Sequence, residues 1–176
     1  MKITIFGLAG TGKSTLGKKI SEILKYDFFS TGNLMRENAR QLKMTIYDFE
    51  LECKKNPKYD IELDKKIENL GKQRNNFVVE SRLAWYFIPD SIKICLKCDK
   101  DVTIERISKR ENISITEANN KTIKRAKDLE YRYAKSYPQI SFPPKDSEFD
   151  LILDTTKGAI GELVEKIMEF LDKKNR

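Results

Sequence analysis

The chain has 176 residues, a length suited to one domain (1–176) with a sizeable core, and its 34 Lys and Arg against 27 Asp and Glu give a net charge of +7. It contains no histidine, which excludes Ser-His-Asp hydrolysis, papain-like chemistry and His-ligated metals together. Its three cysteines supply no disulfide framework, and no apolar run approaches the roughly 20 residues of a membrane span.

Lys2-Ile3-Thr4-Ile5-Phe6 reads as a short buried strand. It lacks a cleavage-like site, so the chain is expected in the cytoplasm rather than exported. The strand runs into Gly7-Leu8-Ala9-Gly10-Thr11-Gly12-Lys13-Ser14, which fits the phosphate-loop spacing G-x-x-x-x-G-K-[ST]. The glycines let successive N–H groups converge on a polyphosphate, and Lys13 sets a point charge near its β and γ phosphates. Ser14 is the expected Mg²⁺ ligand, and Gly7 through Thr15 are expected to hold the donor, ATP. A helical apolar pattern follows from Lys13 to Leu24 (Leu16, Ile20, Ile23, Leu24), so a helix dipole points at the anion.

Asp27-Phe28-Phe29 is a candidate second strand, followed by Ser30-Thr31-Gly32-Asn33-Leu34-Met35-Arg36 and a helix over Leu34–Leu42. A capping box, Thr45-x-x-Asp48, opens the next helix, and another spans Ile61–Leu70 until Gly71 stops it. Phe77-Val78-Val79 is a third strand, and Glu80-Ser81-Arg82 comes directly after it. Arg36 and Arg82 fall at strand carboxyl ends, where a doubly wound sheet builds its site, and each can clamp a phosphate bidentately. Glu80 is placed as a Walker-B carboxylate would be, so Ser14 and Glu80 form the candidate metal site.

Ile92–Leu96 is a fourth strand. Cys95 and Cys98 form a C-x-x-C at its end, but residues three apart on a strand face opposite ways, so packing is the better reading than a metal. A helix over Val102–Lys109 carries Arg106 and Arg110, and the box Ser114-x-x-Glu117 opens a helix carrying Arg125 and Arg132. Each arginine pair shares a face, and the two helices resemble a lid over a polyphosphate. Phe149–Leu153 is a fifth strand and Ile160–Leu171 a last helix. Strands alternating with helices predict an α/β fold, a parallel sheet of about five strands covered on both faces. The charge alone leaves two partners open, nucleic acid or small anionic substrates.

On these motifs the chain resembles the nucleoside monophosphate kinases, most closely the short cytidylate kinases typical of archaea. The resemblance covers nearly the whole length. Its most particular segment is Glu80-Ser81-Arg82-Leu83-Ala84-Trp85, close to the Glu-Gly-Arg-Leu-Ala of cytidylate kinases, supported by Met44–Phe49, Asp60–Lys65, Ile113–Ala118, Arg125–Tyr137 and Phe149–Thr155. It implies a three-layer P-loop NTPase fold with a monophosphate-binding subdomain near 30–74 and a lid near 106–132. It implies Mg²⁺-dependent transfer of the ATP γ-phosphate to CMP, with dCMP close behind. Lys13, Arg82, Arg125 and Arg132 would be catalytic, and Arg106 and Arg110 would join the phosphate loop on ATP. Ser30, Gly32, Arg36, Asp64, Arg82 and Asp128 would hold the acceptor. Three departures bear on the base: Ser81 replaces a family glycine, Ala126 a usual acid, and Leu129 stands between Asp128 and Glu130. The expected partners are small nucleotides, with no membrane, no nucleic acid and a monomeric state. The rivals are an adenylate-, UMP- or shikimate-type kinase and a non-catalytic, RNA-associated ATP-binding protein. A GTP-driven switch lacks its Asn-Lys-x-Asp signature.

Overall fold

A computed structural model describes residues 1–174. The elements run β1 (Lys2–Gly7), α1 (Lys13–Leu24), β2 (Asp27–Ser30), α2 (Thr31–Gln41), α3 (Ile46–Lys55), α4 (Lys58–Gln73) and β3 (Phe77–Glu80). They continue as α5 (Ala84–Phe87), β4 (Ile92–Lys97), α6 (Lys100–Glu111), α7 (Ile115–Ser136), a 3₁₀ turn (Asp146–Glu148), β5 (Leu151–Asp154) and α8 (Ile160–Lys174). The five strands are all parallel in the order β2-β3-β1-β4-β5. The chain winds outward from β1 to β2 and back through β3, then crosses to β4. The sheet therefore reverses beside β1, and a crevice opens at the carboxyl ends of β1 and β3.

Alternation along the strands assigns the two faces. Ile3, Ile5, Val78, Ile94, Leu96 and Leu153 point to one side, where α1 and α8 cover them with Leu16, Ile20, Leu163 and Ile167. Phe6, Phe77, Val79 and Cys95 point to the other, beneath α4, α5 and α7. Ile3 and Ile5 are fully buried, each a stabilisation of about 1.5–3 kcal/mol relative to exposure. This is the three-layer α/β architecture expected from the alternating strands and helices. No helix of the described residues is long and apolar enough to cross a membrane.

Several boundaries differ from the expectation, each for a local reason. Helix α2 begins at Thr31 rather than Leu34, because the Ser30 hydroxyl caps it by accepting from Asn33 N at 3.1 Å. Gly71 does not stop α4. It lies buried inside the helix, where a Cβ would sit 2.8 Å from Ile88 Cγ1, so it serves the close approach of α4 to the chain after α5. Strand β5 begins at Leu151, while Phe149 stacks on Phe6 with centroids 5.4 Å apart. At both capping boxes only the hydroxyl half forms. Thr45 Oγ1 accepts from Asp48 N and Ser114 Oγ from Glu117 N, but the Asp48 carboxylate takes the Thr45 hydroxyl and Glu117 turns to Lys121.

Candidate active site

The turn from β1 into α1 is left-handed at Gly10 (φ 81°) and Gly12 (φ 85°), conformations that a side chain would strain. Gly12 is also the N-cap of α1 and supplies no capping side chain, and the first turn holds no acidic residue. The N-terminal amides of α1 therefore lack both a side-chain acceptor and a local negative charge, the electrostatic setting for an anion. Lys13 Nζ donates to Leu8 O at 2.8 Å, folding the side chain back over the loop. Burial, reinforced by nearby Arg82, brings the Lys13 ammonium down to about 7.

Glu80 ends β3 beside this loop and is buried. Its Oε1 accepts from Ser14 Oγ at 2.6 Å and from Ser30 Oγ. No protein donor reaches Oε2 among the described residues, and that atom is not sealed from solvent. A hydroxyl and a carboxylate held together, with one oxygen open, are the hard oxygen donors that Mg²⁺ takes, so these residues fit the metal.

A cavity of about 500 Å³ runs from the loop to helices α2, α3, α4 and α7. Seven Lys and Arg side chains line it against four carboxylates, so it retains positive charge. Arg36 donates to Asn33 Oδ1 at 2.7 Å and lies beside Gly32. The Arg82 guanidinium has no hydrogen-bond or ion-pair partner among the described residues, and desolvation pushes it below the usual arginine range. Arg125 is held by Glu50 at 2.8 Å and by Glu111 at 3.6 Å. Arg132 is buried, 3.4 Å from Asp60, and donates to Glu50 O at 3.3 Å. Arg106 reaches the loop from α6, donating to Gly10 O at 3.3 Å and Thr155 O at 2.8 Å. A half-buried guanidinium without a protein partner, among further cations, is a setting suited to a polyanion.

Residues 2–157 match the Cytidylate kinase-like family. The chain belongs to that family. It is 34% identical to a cytidylate kinase of Methanosarcina mazei over 161 residues, 89% of this chain and 88% of that protein. It is 33% identical over 178 residues to an S-adenosylmethionine-dependent nucleotide dehydratase of Lacinutrix mariniflava, covering 99% of this chain. The chain spans only 36% of the length of that second relative. A shikimate kinase of Bacteroides thetaiotaomicron has the same fold, with a TM-score of 0.66 over 98% of both chains at 16% identity.

Within this cytidylate kinase-like fold most of the sequence-predicted residues converge. Ala9 to Thr15, Gly32, Arg36, Asp64, Glu80, Arg82, Arg106, Arg110, Arg125 and Arg132 all border one cavity. Four do not. Gly7 closes β1 and Leu8 points outward, 46% exposed. Ser30 is buried behind the cavity, occupied with capping α2 and holding Glu80. Asp128 does not border the cavity; it pairs with Lys54 of α3 at 2.6 Å.

Glu50 and Tyr137 escaped the sequence reading. Glu50 follows Ile46 by four on α3, and both border the cavity, so a helical wheel begun at the Thr45 cap would have found it. Tyr137 gave no signal, because its hydrogen bond to Asp64 (2.9 Å) spans 73 residues. Cys53 and Cys95 pack in separate clusters, and Cys98 lies past β4, where Arg106 donates to its sulfur at 3.3 Å.

Proposed function

We propose that this chain is a nucleoside monophosphate kinase that transfers the ATP γ-phosphate to CMP, and to dCMP, yielding ADP and the nucleoside diphosphate. The observation that carries the reading is the single cationic cavity joining the phosphate loop to helices α2, α3, α4 and α7, with Arg82 unpaired between its two ends. In this reading α2–α4, near 30–74, form the acceptor subdomain and 106–132 the lid.

The loop amides and Lys13 stabilise charge on the β and γ phosphates as the leaving ADP forms. Ser14 and Glu80 would hold Mg²⁺, which would add to the neutralisation of that charge. Arg36 and Arg82 fix the acceptor phosphate in line, and Arg125 and Arg132 approach from α7. A phosphate monoester has its second pKa near 6, so the attacking oxygen is already ionised and no general base is required. That suits a chain without histidine. Arg106, lying against Gly10 and Thr155, borders the ATP end. Arg110 reaches the same cavity from the exposed side of α6.

The named relatives support a nucleotide acceptor, since one acts on nucleotides by its name and another is a cytidylate kinase. The shikimate kinase likeness is one of shape. A coupled ADP-release assay over CMP, dCMP, UMP, AMP, GMP and shikimate tests the reading. Greatest kcat/KM with CMP is expected. Equal rates with AMP would remove the cytidylate assignment, and no turnover with any acceptor would remove the kinase.

A further inference from the structure

Arg125 and Arg132 both border the cavity from α7, and both are held at one residue of α3. Glu50 Oε1 accepts from Arg125 Nη2 at 2.8 Å, and the Glu50 main-chain carbonyl accepts from Arg132 Nη1 at 3.3 Å. The rotation of α3 makes this possible. Phe49 is fully buried with Cys53 and packs with Ala39 of α2, and Glu50, the next residue, is thereby turned to the cavity. The Arg125 and Glu50 side chains are only 19% and 17% exposed, so solvent screens their pair far less than a surface one. Glu50 Oε2 is sealed from solvent and meets no protein donor among the described residues. A carboxylate buried with half of its accepting capacity unused is a poor stabiliser, so folding alone gives little reason for a charge at this position.

We propose that Glu50 is a positioning residue for the transfer step: it fixes the Arg125 guanidinium before the substrates meet and leaves the rest of its donors to the transferring phosphoryl group. The proposal rests on the reading of the cavity as a monophosphate kinase site. A guanidinium carries several N–H donors in one rigid plane. Glu50 takes a donor at Nη2. Nη1 and Nε bond no protein acceptor among the described residues, since the Glu111 carboxylate stands 3.6 Å from Nη1, beyond hydrogen-bond reach. The anchor thus sets the plane of the fork without occupying its other donors.

An arginine left free would have to be ordered during the transfer, whereas one already anchored meets the developing charge without reorganisation. That benefit belongs to the transition state, so its loss should lower kcat and leave substrate binding in place. Arg132 is held by the Glu50 carbonyl and faces Asp60 at 3.4 Å, so a change confined to the Glu50 side chain spares its anchor.

Steady-state kinetics on Glu50→Gln and Glu50→Asp, with CMP as acceptor and melting temperatures as the check on folding, test the proposal. Glu50→Gln keeps the length and an accepting oxygen but loses the charge that strengthens the bond. It should lower kcat about tenfold, with both KM values within about twofold. Glu50→Asp keeps the charge on an arm one methylene shorter, so it should lower kcat to a similar extent; a role for charge alone would leave it at the wild-type rate. Arg125→Ala should lower kcat by about 10²–10³, and adding Glu50→Gln to it should cost less than about twofold more, because Glu50 acts through Arg125. A purely structural role would multiply the two losses instead. The same cycle run with Glu50→Asp carries the test where Glu50→Gln does not fold. Wild-type kcat in either folded Glu50 variant, a raised kcat, or multiplied losses in the cycle would overturn the proposal. With a wild type that turns over CMP, those outcomes remove the positioning role and leave the kinase standing. A wild type without turnover on any monophosphate removes the kinase reading and the positioning role together.

Discussion

The donor end of the cavity takes its loop groups from one unbroken stretch, Ala9 to Thr15, while the acceptor end gathers Arg36, Glu50, Asp64, Arg82 and Arg132 from α2, α3, α4, the segment after β3, and α7. The first geometry is local. Two left-handed glycines and a helix N-terminus set it, with Glu80, Arg106 and Thr155 reaching it from elsewhere in the chain. The second exists only when four helices pack, and its charges are held by one another, as Arg125 is by Glu50 and Arg132 by Asp60. A local site fails by losing the group removed. An assembled site also leaves the partner of that group buried and unpaired, which costs more than the bond itself.

The largest effect is expected at the donor end. Lys13→Ala should lower kcat by about 10²–10³, with an unchanged melting temperature, because the lysine acts on charge that develops during transfer. Steady-state rates on a well-folded variant check this, and wild-type turnover would remove the loop from the mechanism. Next come Arg36→Lys and Arg82→Lys, which keep the charge and lose the fork. Each should raise the acceptor KM about tenfold while the ATP KM stays within about twofold. A selective rise in the ATP KM would move that arginine to the donor side of the comparison.

Two smaller effects sharpen the boundary between site and scaffold. Gly71→Ala drives a Cβ to 2.8 Å from Ile88 Cγ1 and should cost about 1–3 kcal/mol of stability, read as a lower melting temperature with kcat kept. Asp128→Asn breaks only the pair with Lys54, whose side chain is 41% exposed, and should leave both KM values within about twofold. A selective loss of CMP affinity in that variant would return Asp128 to the acceptor site.

The strands, the helices and the phosphate loop were legible in the sequence because each is a short-range pattern. Period-two burial marks Ile3 and Ile5, period 3.6 marks Leu16 and Ile20, and the glycine spacing marks the loop. The sheet order was foreseeable only as a class. The Cytidylate kinase-like signature at Glu80 to Trp85 carried the family, since a run of particular residues needs no contact map to be recognised.

The acceptor end was decided by tertiary structure. Asp64 and Asp128 look alike in sequence, each an acid on a polar helix. Packing brings the first against Tyr137 at the cavity and the second against Lys54 beyond the cavity's edge. Ser30 likewise reads as a ligand group until the fold brings Glu80 over it, fifty residues away along the chain. Gly71 reads as a helix stop until Ile88 arrives against it. In each case the sequence specifies the side chain and its local backbone. Which neighbour it meets depends on long-range packing, and that neighbour determines burial, protonation and role.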